Sequence, residues 1–420
     1  MSKAAQRNVS KHLRVSDVRG AARLAAQATR GVSRIVEGVH QSVWDRLGFR
    51  GAQPGQTGGV TGLVYKSIRG LTQALSVGVE ASLLRLERAL DAPGNANAES
   101  PQREAVLAVL NGVMGDRLQA DNNPLAIHMT LRHRGEALNW HGSPSRQDNP
   151  VVTGKLLLMI HGLCRNDLQW DSQYEGSDVN HGERLAGELG LTPIYLRYNT
   201  GLHVSQNGRE LAQQLERLLV HWPVPIEEIS VLAHSMGGLV MRSAAHYAQA
   251  DGLAWPKRLR SIVFLGTPHH GAPLERAGNI VDVLLGSTPF TAPLARLGQL
   301  RSAGITDLRF GCVVDEDWLG GNRFHRKPDS RRHVPLPEGV ACYAIAATTA
   351  AKRSLLADRL IGDGLVPLHS ALGHHRDAKR RLDFPKSAQW IAYQTSHMAL
   401  LNHPEVGAQL LRWLRPDSPA

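Results

Sequence analysis

The sequence predicts an α/β fold: a mostly parallel central sheet with helices on both faces, a cap insertion, and an N-terminal all-helical extension. Three observations lead there. From about residue 124, short apolar runs alternate with helix-period stretches, the rhythm of parallel strands covered on both sides. Residues 1–120 show helical spacing alone. Finally, the apolar run ISVLAH (229–234) breaks into SMGG, as a strand does when it turns tightly into a helix.

The elements follow in order. Val18, Ala22, Ala25, Ala28, Val32, Ile35, Val36 and Val39 fall on one face of a helix within residues 15–47. Residues 60–90 repeat that spacing after the breaker GAQPGQTGG (51–59), and DAPGNANAESP (91–101) ends the stretch. A third helix is expected at about 102–119. Strands are then expected at 125–132, 155–162, 192–198, 229–234, 260–266, 340–347 and 388–394, with helices at 205–221 and 236–250 between them. Residues 272–335 interrupt this alternation and are read as a cap. The expected domains are therefore 1–120, helical, and 124–416, α/β, with the cap at about 272–335.

The bulk composition sets limits. At 420 residues, 42% hydrophobic and 20% charged, the chain has ample core-forming material. No uncharged apolar run approaches the ~18 residues of a membrane span, and the first twenty residues lack the apolar segment of a secretory leader. Cys164, Cys312 and Cys342 are too few for a disulfide framework, which fits a reducing, cytoplasmic setting. The net charge of +11 is concentrated in the first fifty residues, where ten Lys and Arg face Asp17, Glu37 and Asp45. Such a head suits either the inner face of a membrane or a solvated helix surface. Nucleic acid is disfavoured, because no aromatics are interleaved with the charge.

The residues at the strand–helix break carry chemistry. AHSMG (233–237) matches small-x-Ser-x-Gly, in which the serine takes strained dihedrals and small neighbours two residues either side relieve the crowding. A serine hydroxyl needs a histidine to take its proton and a carboxylate to orient that histidine. In this arrangement the chain order is Ser, acid, His, each after a strand. Asp363 in Gly-Asp-Gly follows the strand at 340–347, and His397 lies three residues past the strand at 388–394. His269 and His270 precede every plausible acid and break the order. His403 sits in the closing helix and is expected to cap or pack. Asp358 lacks the flanking glycine.

The developing oxyanion needs two preorganised N–H donors. Met236, after the serine, supplies one; Leu163, after the turn His161-Gly162, supplies the other. His161, His234, His269 and His270 are the candidates for lining a substrate pocket. Cys164 reads as a small packed residue. The pairs His269-His270 and His374-His375 lack ligand spacing with Cys or paired carboxylates, so no metal is expected, and the chemistry needs no cofactor.

With these residues in view, residues 124–416 resemble the α/β-hydrolase superfamily, in its lipase/esterase branch. Four blocks carry the likeness: LLLMIHGL, VLAHSMGGLVMR, FLGTPHHGAPLER and IGDGLVPLHSA…SHMALLNHPEV. The last two look most like the subgroup of the GPI inositol-deacylase catalytic domain and bacterial triacylglycerol lipases. The resemblance implies Ser235 as nucleophile, Asp363 as acid, His397 as base, and hydrolysis of carboxylic esters. TPHHGAP would line the pocket floor or the cap hinge.

The expected function is thus a serine hydrolase of acyl esters, lipid-like ones first. An acyltransferase or thioesterase uses the same residues, and a non-catalytic scaffold with membrane-binding basic helices is the reading from a different class. The apolar run Ile280–Leu285 with Pro289-Phe290 covers either an acyl channel or the core.

Overall fold

The computed structural model describes residues 14, 16–25, 27, 101–138, 152–171, 179–272, 301–321, 328–351 and 362–415. Residues 28–100, most of the expected N-terminal helices, lie outside the described residues, as do 273–300 with the Ile280–Leu285 run. The described residues fall into two units. One holds 14–27 with 101–103 and 118–126; the other holds 104–117 and 127–415.

In the first unit residues 16–25 are helical, as the spacing predicts. Arg103 forms an ion pair with Asp17 at 2.6 Å. The helix α1, Pro101–Ala120, fulfils the third helical expectation, and its middle, Glu104–Arg117, belongs to the second unit.

The second unit is built on one eight-stranded sheet in the order β2-β1-β4-β3-β5-β6-β7-β8. The strands are β1 Thr130–His133, β2 Glu136–Ala137, β3 Lys155–Ile160, β4 Thr192–Arg197, β5 Glu228–His234, β6 Leu259–Leu265, β7 Ala341–Thr348 and β8 Gln389–Tyr393. From β4 through β8 all neighbours run parallel; β1 is antiparallel to both β2 and β4. Seven of these strands are the seven expected from the apolar runs. β2 is two residues long, too short to leave a periodic signal.

The reason is visible in β3 and β5. Leu156–Ile160 and Ile229–His234 are buried without a break, as strands with helices on both faces must be. The covering helices are α2 His181–Leu189, α3 Val204–His221, α4 Met236–Ala250 and α5 Pro404–Leu414. Asn180 caps α2 by accepting from the Glu183 N–H, and Gly190 ends it at φ 65°. His403 caps α5, its ring accepting from the Glu405 N–H at 3.3 Å, so the sequence expectation of a capping role is met.

Within the region read as a cap, the described residues Ile305, Val313, Val314 and Val334 are buried members of the main core. Asp307 there accepts from the Val204 N–H at 2.8 Å and lies 3.0 Å from His203 Nδ1, fixing the start of α3.

Because β3 through β8 run in one direction, their carboxyl ends share one edge of the sheet. The loops after β3, β5, β6, β7 and β8 therefore converge there. That convergence positions the site.

Candidate active site

Ser235 follows the last residue of β5 and precedes α4. Its backbone sits at φ 54° and ψ −125°, a left-handed conformation that costs a non-glycine residue on the order of 1–3 kcal/mol. The turn is held by the Ser235 N–H, which donates to the Leu265 carbonyl at the end of β6 at 2.8 Å. Ser235 is half-buried, while its neighbours His234 and Met236 are fully buried.

Gly237 lets the turn close. A Cβ there would stand 2.6 Å from the His161 carbonyl oxygen and 2.7 Å from that of Ile160, closer than real Cβ contacts come. On the other side, a Cβ on Gly162 would meet the Cβ of Ser235 at 2.9 Å. The loop after β3 thus lies directly against the serine turn, bringing Leu163 and Met236 to the same corner. That loop is braced. Tyr198 O–H donates to the His161 carbonyl at 2.8 Å, and its ring stacks on His161 at 4.3 Å. The Cys164 N–H donates to Thr200 Oγ1 at 3.1 Å, with Cys164 itself at φ 57°.

Asp363 stands in a tight turn beyond β7. The Thr349 N–H donates to the Gly362 carbonyl at 3.1 Å, tying that turn to the end of the strand. Asp363 Oδ1 accepts from the N–H groups of Leu365 at 2.9 Å and Val366 at 2.7 Å, so one carboxylate oxygen is spent holding the turn. The other, Oδ2, accepts from His397 Nδ1 at 2.6 Å. The His397 N–H also donates to the Asp363 carbonyl at 3.1 Å. With Nδ1 protonated toward the carboxylate, the neutral ring keeps its Nε2 lone pair.

His397 reaches the serine turn. A Cβ on Gly266, the residue after Leu265, would stand 3.1 Å from two His397 ring atoms. His234, covalently next to Ser235, packs its ring on His397 at 4.7 Å between centroids. His397 thus lies against Gly266 and against His234, the residue before Ser235.

The four expected pocket histidines are placed differently. His161 is buried under Tyr198, and burial pulls its pKa down to about 4. His234 is buried against His397. His269 is buried between Phe264 and Phe384, at 4.8 and 5.5 Å. His270 donates from Nε2 to the Gly373 carbonyl at 2.9 Å and accepts from Arg331 at 2.8 Å. The last two rings are thus taken up by packing and hydrogen bonds of their own. Cys164 is buried, and desolvation pushes its thiol up to about 12, which removes it as a nucleophile. Among the described residues no His, Cys, Asp and Glu cluster has the makings of a metal site, and no helix is long and apolar enough to cross a membrane.

Two contributors were not foreseen: Gly266, which clears space for the His397 ring, and Tyr198, which braces the loop after β3. Gly266 lies within the block FLGTPHHGAPLER, but nothing in that block announces the contact with His397.

The strand order together with the strained serine turn defines the α/β-hydrolase fold. A family model described as a domain of unknown function (DUF7379) matches residues 128–306. No curated protein matches the chain. Among solved structures it is similar to a Bacillus licheniformis lipase in mature form, at 15% identity and TM-score 0.40, covering 68% of this chain and 96% of that one. It is also similar to Aspergillus fumigatus lipase B, at 12% identity and TM-score 0.40, covering 84% and 72%. A third is the thioesterase from the prodiginine biosynthetic pathway of Streptomyces coelicolor, at 14% identity and TM-score 0.34, covering 64% and 96%.

Proposed function

We propose that the protein is a serine hydrolase of carboxylic esters, with Ser235 as nucleophile, His397 as general base and acid, and Asp363 as the orienting carboxylate. The observation that carries this reading is the buried His397–Asp363 hydrogen bond of 2.6 Å beside a serine at φ 54°. Backbone strain of this kind clusters at functional sites, which supports the reading.

The chemistry follows from the placement. Ser235 Oγ attacks the ester carbonyl while His397 Nε2 takes its proton. The carbonyl π electrons move to oxygen, and the N–H groups of Leu163 and Met236 stabilise that charge. Met236 opens α4, where helix N–H groups lack intrahelical partners. Collapse expels the alkoxide, which receives the proton from His397 and leaves as the alcohol. Water, deprotonated by His397, then attacks the acyl-serine, and collapse releases the acid and restores Ser235. Asp363 stays ionised throughout and stabilises the imidazolium.

The finer part of this proposal is that the ester is lipid-like. A panel of p-nitrophenyl esters from acetyl to palmitoyl, with a matched acyl thioester, tests both parts. Turnover of esters that rises with acyl length supports the reading. Preferential thioester turnover moves it to a thioesterase, and turnover of neither overturns it. Running the panel with and without anionic vesicles, on the full chain and on one lacking residues 1–100, tests whether the basic N-terminal segment brings the enzyme to a membrane surface.

A further inference from the structure

We propose that His234 is a positioning residue for this reaction: by donating from Nε2 to the His397 carbonyl, it holds the base over Ser235. The inference rests on the triad reading above. The problem it solves is one of distance. His397 follows β8, the edge strand, which pairs with β7. To meet Ser235 at the end of β5 its loop must pass over the ends of β7 and β6, three strand spacings or roughly 14 Å.

Asp363 and His397 are joined twice, by the side-chain bond at 2.6 Å and by the His397 N–H to the Asp363 carbonyl at 3.1 Å. They behave as one piece. Those bonds orient the imidazole relative to its acid, but not relative to the nucleophile. The link from this piece to the serine turn is the bond from His234 Nε2 to the His397 carbonyl at 3.1 Å. It spans 163 positions of sequence and anchors the base to the residue before Ser235.

The chemistry of the ring fits that task. A carbonyl only accepts, so Nε2 carries the proton and the neutral ring leaves Nδ1 bare. Nδ1 is buried, without a hydrogen-bond partner among the described residues, and sits 3.2 Å from where a Gly162 Cβ would be. A second proton would place a cation beside the His397 ring in a fully buried site. Burial, and then the neighbouring His397, accordingly hold His234 well below the ordinary histidine range. A fixed neutral donor is a clamp; a titrating one would release the base.

Two variants separate this role from simple packing. His234→Phe keeps a ring and removes the donor, whereas His234→Gln supplies an N–H at similar reach. With the folded state checked by thermal melting, His234→Phe is expected to lower kcat for a soluble ester about 10- to 100-fold. KM should stay within about threefold, and fluorophosphonate labelling of Ser235 should slow in proportion. His234→Gln is expected to recover at least about tenfold of that loss. Wild-type turnover by His234→Phe, or equal losses in two folded variants, would overturn the proposal. A wild-type protein inert to both ester and probe would instead overturn the triad reading beneath it.

Discussion

His397 Nδ1 and Asp363 Oδ2 are 2.6 Å apart with both side chains closed off from solvent, at 2% and 0% exposure. The carboxylate selects the tautomer, because it can only accept. Asp363→Asn keeps an oxygen for the Leu365 and Val366 N–H groups, so the turn persists. Its amide presents an N–H to the imidazole and forces the opposite tautomer. We expect kcat to fall about 10⁴-fold with the melting temperature little changed, checked by ester turnover and a thermal melt.

Ser235 holds a backbone conformation that an L side chain rarely adopts. Glycine adopts φ 54° without penalty. Ser235→Gly is therefore expected to be more stable than Ser235→Ala by about 1 kcal/mol or more, both variants being inactive. Urea unfolding of the pair measures it, and equal stabilities would remove the strain argument.

A buried ion network braces the sheet beneath the site. Asp167 pairs with Arg197 and lies 3.0 Å from Arg132, while Arg197 reaches Glu104 on α1 at 3.0 Å. Removing the shared carboxylate leaves two buried guanidinium groups with less compensation. Asp167→Ala should cost about 3–5 kcal/mol, read from the urea midpoint.

Stability should also depend on pH in a defined window. Burial lowers His161 and His181 from about 6.5 to about 4 in the folded state. Between those values the unfolded chain binds protons that the folded chain does not. Stability is then full above pH 6.5 and falls as the pH drops toward 4. His181 Nε2 donates to the Leu400 carbonyl at 3.1 Å, so His181→Gln keeps a donor and removes a titration. The unfolding free energy of that variant should lose about one proton's worth of slope in this window. An unchanged slope would contradict the buried, neutral assignment.

Much of this architecture was legible in the sequence, for physical reasons. Leu156–Ile160 and Ile229–Ala233 are apolar because parallel strands are covered on both faces, and the order Ser235, Asp363, His397 follows from which strands end at the shared edge. What stayed hidden depends on contacts without period or motif. The His234–His397 bond joins residues in separate loops, and nothing in AHSMG announces that its histidine turns toward a loop 163 residues on. The Asp167 network draws its members from α1, β1, β4 and the segment after β3. The burial of Ile305, Val313 and Val334 in the main core is likewise hidden, because glycines, arginines and aspartates surround them in sequence. The surroundings of His269, enclosed by Phe264 and Phe384, and of His270, held by Gly373 and Arg331, also leave no mark on the sequence.

The most direct measurement is the intact mass of the folded protein after exposure to a fluorophosphonate, for wild type and for Ser235→Ala. The account predicts one adduct on the wild type, mapped to Ser235 by peptide mass, and none on the variant. A wild-type protein that stays unmodified while folded, or an adduct that survives the substitution, would contradict it.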